Sequence, residues 1–194
     1  MDLGLSGKKA VITGATRGIG RAIANLLADE GVSLAICSRD QDSVTQAVKE
    51  LSAKGVKVTG AAIDVADTES YQAWIASAGK ELGGIDIFVP NVSAGGGSVD
   101  EAGWTKNFNV DLLGTTRGIE AAMPFLEKSD AASIVVIGSV AAVEEFMMPQ
   151  TYNAIKAAVI VHSQQLALAL GGKGIRVNCV SPGPVYIEGG DWDY

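Results

Sequence analysis

Tyr152 and Lys156 stand four residues apart, and Ser139 lies thirteen residues before the tyrosine. Residues four apart on a helix share a face, so this spacing points a phenol and an ammonium the same way. A free phenol, with a pKa of about 10, is a poor base near neutrality. A neighbouring fixed positive charge favours the phenolate. Such a phenol can give a proton to a carbonyl oxygen, or accept it in the reverse direction. A serine hydroxyl directed at the same oxygen would steady its developing charge. His162, the only histidine, follows Tyr152 by ten residues and lies almost opposite it on the helix. It reads as a packing or interface residue, not as a base.

A second constellation lies near the start, in Thr13-Gly14-Ala15-Thr16-Arg17-Gly18-Ile19-Gly20. Gly14 permits a tight turn straight after an apolar run. Gly18 and Gly20 let backbone and helix come close to a bound group. The free N–H groups and positive end of the following helix suit phosphates. A glycine-rich turn alone is often an ordinary loop. Here it follows an apolar strand and opens an amphipathic helix, the context a dinucleotide diphosphate requires.

The elements that must position these residues are legible as alternating short and long patterns. Strands are expected over 9–13, 32–38, 56–63, 85–89, 133–137 and 175–180, and helices over 18–29, 41–54, 68–82, 104–126 and 151–170. The strands are continuously apolar, as when both sheet faces are covered. This predicts an α/β fold: a Rossmann-type doubly wound parallel sheet, one domain over 1–194, with helices on both faces. Ligands in such sheets bind beyond the carboxyl ends of the strands. Asp64, Asn91, Ser139 and Pro182-Gly183 all follow strand ends, as the glycine turn does.

Composition removes other classes. The chain is 47% hydrophobic with mean hydropathy +0.24, which excludes disorder. A net charge of −7 argues against a nucleic-acid partner. No consecutive apolar run reaches the ~20 residues of a membrane span, and the N-terminus does not read as a signal peptide. Cys37 and Cys179 sit in apolar runs with no metal-ligand spacing and read as reduced core thiols, so a cytoplasmic location and no metal site are expected.

The Thr-Gly-x-x-x-Gly-Ile-Gly and Tyr-x-x-x-Lys motifs resemble the short-chain dehydrogenase/reductase family, over nearly the whole chain from Gly7 to about Val185. The resemblance implies an enzyme that moves a hydride between a nicotinamide cofactor and a carbonyl or secondary alcohol. Ser139, Tyr152 and Lys156 match its catalytic residues, with Tyr152 as general acid/base and Lys156 also on the nicotinamide ribose. Asn109 matches the fourth member, which holds a water in a proton relay. Gly14, Thr16, Arg17, Gly18, Ile19 and Gly20 would line the cofactor. Asp64 and Val65 would meet adenine, and Asn91, Pro182, Gly183 and Val185 would complete the site. The chain departs from the family at Pro90-Asn91-Val92-Ser93, where Asn-Asn-Ala-Gly is usual. Pro184-Val185-Tyr186-Ile187 stands where a carboxamide-anchoring threonine is common. The usual substrate-covering loop, further helix and seventh strand have no counterpart within these 194 residues.

The residue after the second strand discriminates cofactors, because a carboxylate there repels a 2′-phosphate. Here it is Ser38, followed by Arg39, with Arg17 in the glycine turn. A hydroxyl and two guanidiniums suit a phosphate dianion. NADP(H) is therefore expected in preference to NAD(H), the alternative being that Arg39 pairs with Asp40 or solvent. Val140, Val143, Phe146, Met147 and Met148 are expected to wall a pocket for an apolar ketone or secondary alcohol. Glu144 and Glu145 would disfavour anions if they point inward. The long apolar helices predict a homodimer or homotetramer. Competing readings are a non-catalytic cofactor-binding sensor or subunit, and an NAD-preferring alcohol dehydrogenase.

Overall fold

The computed structural model describes residues 3–145 and 150–187. In chain order the elements are β1 (Lys9–Thr13), α1 (Gly18–Asp29), β2 (Ser33–Ser38), α2 (Gln41–Ser52), β3 (Val58–Ala62) and α3 (Thr68–Leu82). Then follow β4 (Ile87–Val89), α4 (Glu101–Asn107), a π-helical turn (Phe108–Leu113), α5 (Gly114–Leu126), β5 (Ser133–Ile137), a 3-10 turn (Val140–Ala142), α6 (Thr151–Gly171) and β6 (Arg176–Val180). The strands form one parallel sheet in the order β3-β2-β1-β4-β5-β6. The order reverses between β1 and β4, opening a crevice at their carboxyl ends.

Side chains alternate across each strand, and the core divides accordingly. Val11, Ala35, Phe88, Ile134 and Val136 pack with Tyr71, Ile75, Ile119, Val159 and Leu170, so α3, α5 and α6 cover this face. Ala10, Ile12, Leu34, Ile36 and Val89 pack with Ala24, Ala28, Ala47 and Leu51 of α1 and α2 on the other. The strand bounds match expectation closely. The fourth is shorter, and just before it the Asp86 carboxylate accepts the Lys9 N–H (2.8 Å) and the Ser129 hydroxyl (2.6 Å). Cys37 is buried and Cys179 partly so, both free. Burial pushes the Cys37 thiol up to about 12, against a smaller opposing effect of a hydrogen bond from the Gly14 N–H.

Two expectations change. The helix expected over 104–126 is interrupted by the π-helical turn. There the Gly114 N–H reaches the carbonyl of Asn109, and the Thr115 hydroxyl takes the carbonyl of Asp111 (2.7 Å). The widened turn brings Asp111 to the interior, where it is fully buried. Second, α6 is long and apolar enough, by length and composition, to cross a membrane, although no consecutive apolar run suggested it. It carries Lys156, Val159 and Ser163 buried within the fold, while Val161 and Leu168 are exposed.

Candidate active site

The crevice at the switch point has a volume of about 570 Å³. Gly14, Thr16, Arg17, Gly18 and Ile19 form one wall, Ser38, Arg39, Asp64 and Val65 another, and Asn91 to Ala94, Lys106, Asn109 and Ile187 contribute to a third. Gly14 has φ +66°, a left-handed conformation that favours glycine. A β-carbon on Gly20 would overlap the Gly14 carbonyl oxygen and stand 2.5 Å from Asn91 Nδ2. Glycine at 20 therefore lets the first turn of α1 close on the loop. Asn91 ties that loop to the end of β4: its Nδ2 donates to the carbonyls of Thr13 (2.9 Å) and Gly14 (3.2 Å), and its backbone N–H donates to the Thr13 hydroxyl (2.9 Å). Ser93, at the departure from the family pattern, is exposed on the cleft wall and accepts the Gly95 N–H.

Arg17 and Arg39 are both exposed at the cleft with Ser38 between the two loops, and among the described residues neither makes an ion pair. Asp40 does not engage Arg39. It caps α2 instead, accepting from the N–H and hydroxyl of Ser43, and these bonds hold its carboxyl below the usual range. The cleft thus presents a glycine cradle, a helix N-terminus and two guanidiniums without an ion-pair partner among the described residues, which fits a dinucleotide.

Ser139, Tyr152 and Lys156 gather beside this crevice. Ser139 lies just past β5, buried, its hydroxyl accepting the Ala141 N–H (3.2 Å). Tyr152 and Lys156 share the first turns of α6, with Nζ 5.7 Å from the phenol ring centre. Lys156 is buried, donating to the Ile137 carbonyl (2.9 Å) and facing Asp111 Oδ1 at 3.2 Å. The Tyr152 phenol is raised above its ordinary 10.0, by burial first, against the lowering effect of the Ser139 hydroxyl and with the Asp111 carboxylate adding to the rise.

The structure brings Asp111, and not Asn109, against Lys156. Asn109 faces the cleft. Asp111 belongs to a buried chain of polar groups that the sequence reading missed. Thr151 Oγ1 donates to Asn107 Oδ1 (2.5 Å), and Asn107 Nδ2 donates to Asp111 Oδ2 (3.1 Å) and the Gly95 carbonyl (3.0 Å). The Ala94 N–H also donates to Asp111 Oδ2 (3.0 Å), joining the catalytic cluster to the cleft wall. This network's one trace in the sequence is the four-residue spacing of Asn107, Asp111 and Thr115, which puts them on one helix face. Removing one partner of a buried ion pair such as Asp111–Lys156 costs roughly 3–5 kcal/mol.

The C-terminal segment is only partly as expected. The Pro182 carbonyl accepts the Val140 N–H (3.1 Å), and Gly183 lies beside Val140. Val185 is exposed, and Ile187 enters the cleft next to Gly18. Val143, Glu144 and Glu145 are exposed, whereas Phe146, Met147 and Met148 lie outside the described residues.

Residues 8–189 match the family model described as short chain dehydrogenase. The chain belongs to the short-chain dehydrogenase/reductase family. This dehydrogenase is 36% identical over 199 residues to isoepoxydon dehydrogenase patN of Penicillium expansum, covering 100% of this chain and 76% of the relative. It is 38% identical to dehydrogenase/reductase SDR family member 4 of Mus musculus, covering 92% of this chain and 66% of that one. Among solved structures, L-sorbose reductase from Gluconobacter frateurii complexed with NADPH and L-sorbose superposes with a TM-score of 0.91 at 33% identity, covering 96% of this chain and 73% of that one. NAD+-bound xylitol dehydrogenase gives 0.86 at 26% identity, covering 92% and 71%. The family makes this dehydrogenase an oxidoreductase of alcohol and carbonyl groups.

Proposed function

We propose that this chain transfers a hydride between NADP(H) and a carbonyl or secondary alcohol, with Tyr152 as the general acid/base. The observation that carries this reading is the convergence of Ser139, Tyr152 and Lys156 beside a glycine-cradled cleft. Gly14, Thr16, Arg17, Gly18, Ile19 and Gly20 would hold the diphosphate, Ser38, Arg39 and Arg17 the 2′-phosphate, and Asp64 and Val65 the adenine. Asn91, Pro182, Gly183 and Val185 would border the nicotinamide half. When bound, the nicotinamide supplies or accepts the hydride. Tyr152 holds the proton for the substrate oxygen, Ser139 donates a hydrogen bond to that oxygen, and Lys156 keeps its ammonium against the phenol.

The preference for NADP(H) rests on the two guanidiniums that have no ion-pair partner among the described residues, and on Ser38 standing where a carboxylate would repel a phosphate. Val140 and Val143 support an apolar substrate. The sugar ketone named for one structural relative makes L-sorbose the first polar candidate to set beside it. Exposed Val161 and Leu168 on α6, with exposed Trp104 on α4 and Phe108 on the π-helical turn, support a homodimer or homotetramer.

Fluorescence titration with NADPH and NADH, followed by a ketone screen, tests the reading. NADPH is expected to bind more tightly and to be oxidised by a ketone. Tyr152→Phe is expected to lower kcat by roughly 100-fold or more with the NADPH Kd little changed. Substantial turnover by that variant would refute the role of Tyr152.

A further inference from the structure

The ammonium of Lys156 does not stand alone beside Tyr152. Its three donors have the Ile137 carbonyl at 2.9 Å and Asp111 Oδ1 at 3.2 Å as neighbours. Asp111 is wholly buried, and its Oδ2 is fixed by two donors, the Ala94 N–H and Asn107 Nδ2. Its Oδ1 accepts no aligned hydrogen bond among the described residues, so the ammonium is what balances its charge. The carboxylate is thus held rigidly at the lysine by the π-helical turn and by the loop that walls the cleft.

We propose that Asp111 is a positioning residue whose carboxylate anchors Lys156 and offsets its charge, so that Tyr152 rests as a protonated phenol, poised to give a proton to a carbonyl oxygen. This rests on the reading of Tyr152 as the proton-transferring group. The ionisable groups facing Tyr152 are Lys156 on its own helix and Asp111 on the π-helical turn, while the strand end supplies the hydroxyl of Ser139. Lys106 of α4 lies on the cleft wall, and Glu144 and Glu145 are exposed beyond the 3-10 turn. A purely structural Asp111 would hold the loop and the lysine without setting when the phenol ionises. A charge-offsetting Asp111 must do both.

The test reads the phenol directly, without cofactor or substrate. Tyrosinate ultraviolet absorbance is titrated in the wild type, Asp111→Asn and Tyr152→Phe, and the Tyr152 signal is taken as the difference from the last. The subtraction also removes Tyr71, which burial raises well above 10.0, and exposed Tyr186. The wild type is expected to show a Tyr152 midpoint above 10.0, its ordinary value. Asp111→Asn, which keeps the side-chain shape but removes the charge, is expected to bring that ionisation down by about one pH unit or more. An unchanged midpoint in the variant overturns the proposal. If the variant does not fold, the wild-type titration decides, and a Tyr152 midpoint below 10.0 overturns it. Because the titration needs no turnover, the expected shift in a protein that reduces no ketone would uphold this inference while refuting the proposed activity.

Discussion

Replacing Asn91 tests whether one side chain joins the glycine loop to the switch point. Its Nδ2 gives hydrogen bonds of 2.9 Å and 3.2 Å to the Thr13 and Gly14 carbonyls, and Thr13 is 1% exposed. The bond to the less buried Gly14 carbonyl is worth about 1 kcal/mol net, and the buried Thr13 carbonyl left without its donor costs about 1–3 kcal/mol. Asn91→Ala is therefore expected to lose about 2–4 kcal/mol. At roughly 2–4 °C per kcal/mol for a chain of this length, the melting temperature should fall by roughly 5–15 °C. Asn91→Asp is the sharper comparison. It fills the same space but turns an acceptor toward two acceptors, so at neutral pH it should melt below Asn91→Ala. Its carboxyl should be held protonated, with a raised folded-state pKa. The sign follows: the folded state binds the proton more readily than the unfolded state, so the deficit against Asn91→Ala should shrink as pH falls through the carboxylate range. Thermal melts of the three proteins from neutral to mildly acidic pH provide the assay. An Asn91→Ala melting temperature within about 2 °C of wild type, or a pH-independent gap between the variants, refutes the reasoning.

Arg39→Leu should weaken NADPH about 10- to 100-fold, the worth of a charge-assisted bond to phosphate, and leave NADH nearly unchanged. Equal losses by fluorescence titration would refute the 2′-phosphate assignment. Gly20→Ala should push α1 off the Gly14 carbonyl and weaken NADPH and NADH together; unaltered binding of both would refute the close approach. Cys37, pushed up to about 12, should resist a thiol reagent at mildly alkaline pH in the native state. Its folded pKa lies above the unfolded one, near 9.0, so its contribution to stability is full below 9.0 and is lost as pH rises toward 12. Cys37→Ala should flatten that alkaline loss in denaturant melts, and an identical slope would refute the assignment.

The elements were legible because both signals are local. The glycine turn names itself through the conformation at Gly14 and the crowding at Gly20, and continuous apolar strands between amphipathic helices specify a sheet covered on two faces. Asn91 was readable for the same reason, standing directly after its strand. Asp111 was not. Its flanking sequence suits an uninterrupted helix, and nothing in it tells which turn widens or which carbonyl a threonine hydroxyl will take. The choice between Asn109 and Asp111 depended on that single turn. Likewise the contact of Ile187 with Gly18 joins residues far apart in the chain, beyond what spacing conveys.

The sequence by itself determined the parallel α/β architecture, the dinucleotide loop and the pairing of Tyr152 with Lys156, because periodicity, glycine stereochemistry and helical spacing act over a few residues. Only the tertiary structure decided what charge stands beside that pair. Asp111 reaches Lys156 across two elements, inside a buried network closed by Asn107, Thr151 and Ala94. Burial there raises the cost of every unbalanced charge. The charge that faces Lys156 is thus set by packing between elements distant in the chain, which the order of residues does not express.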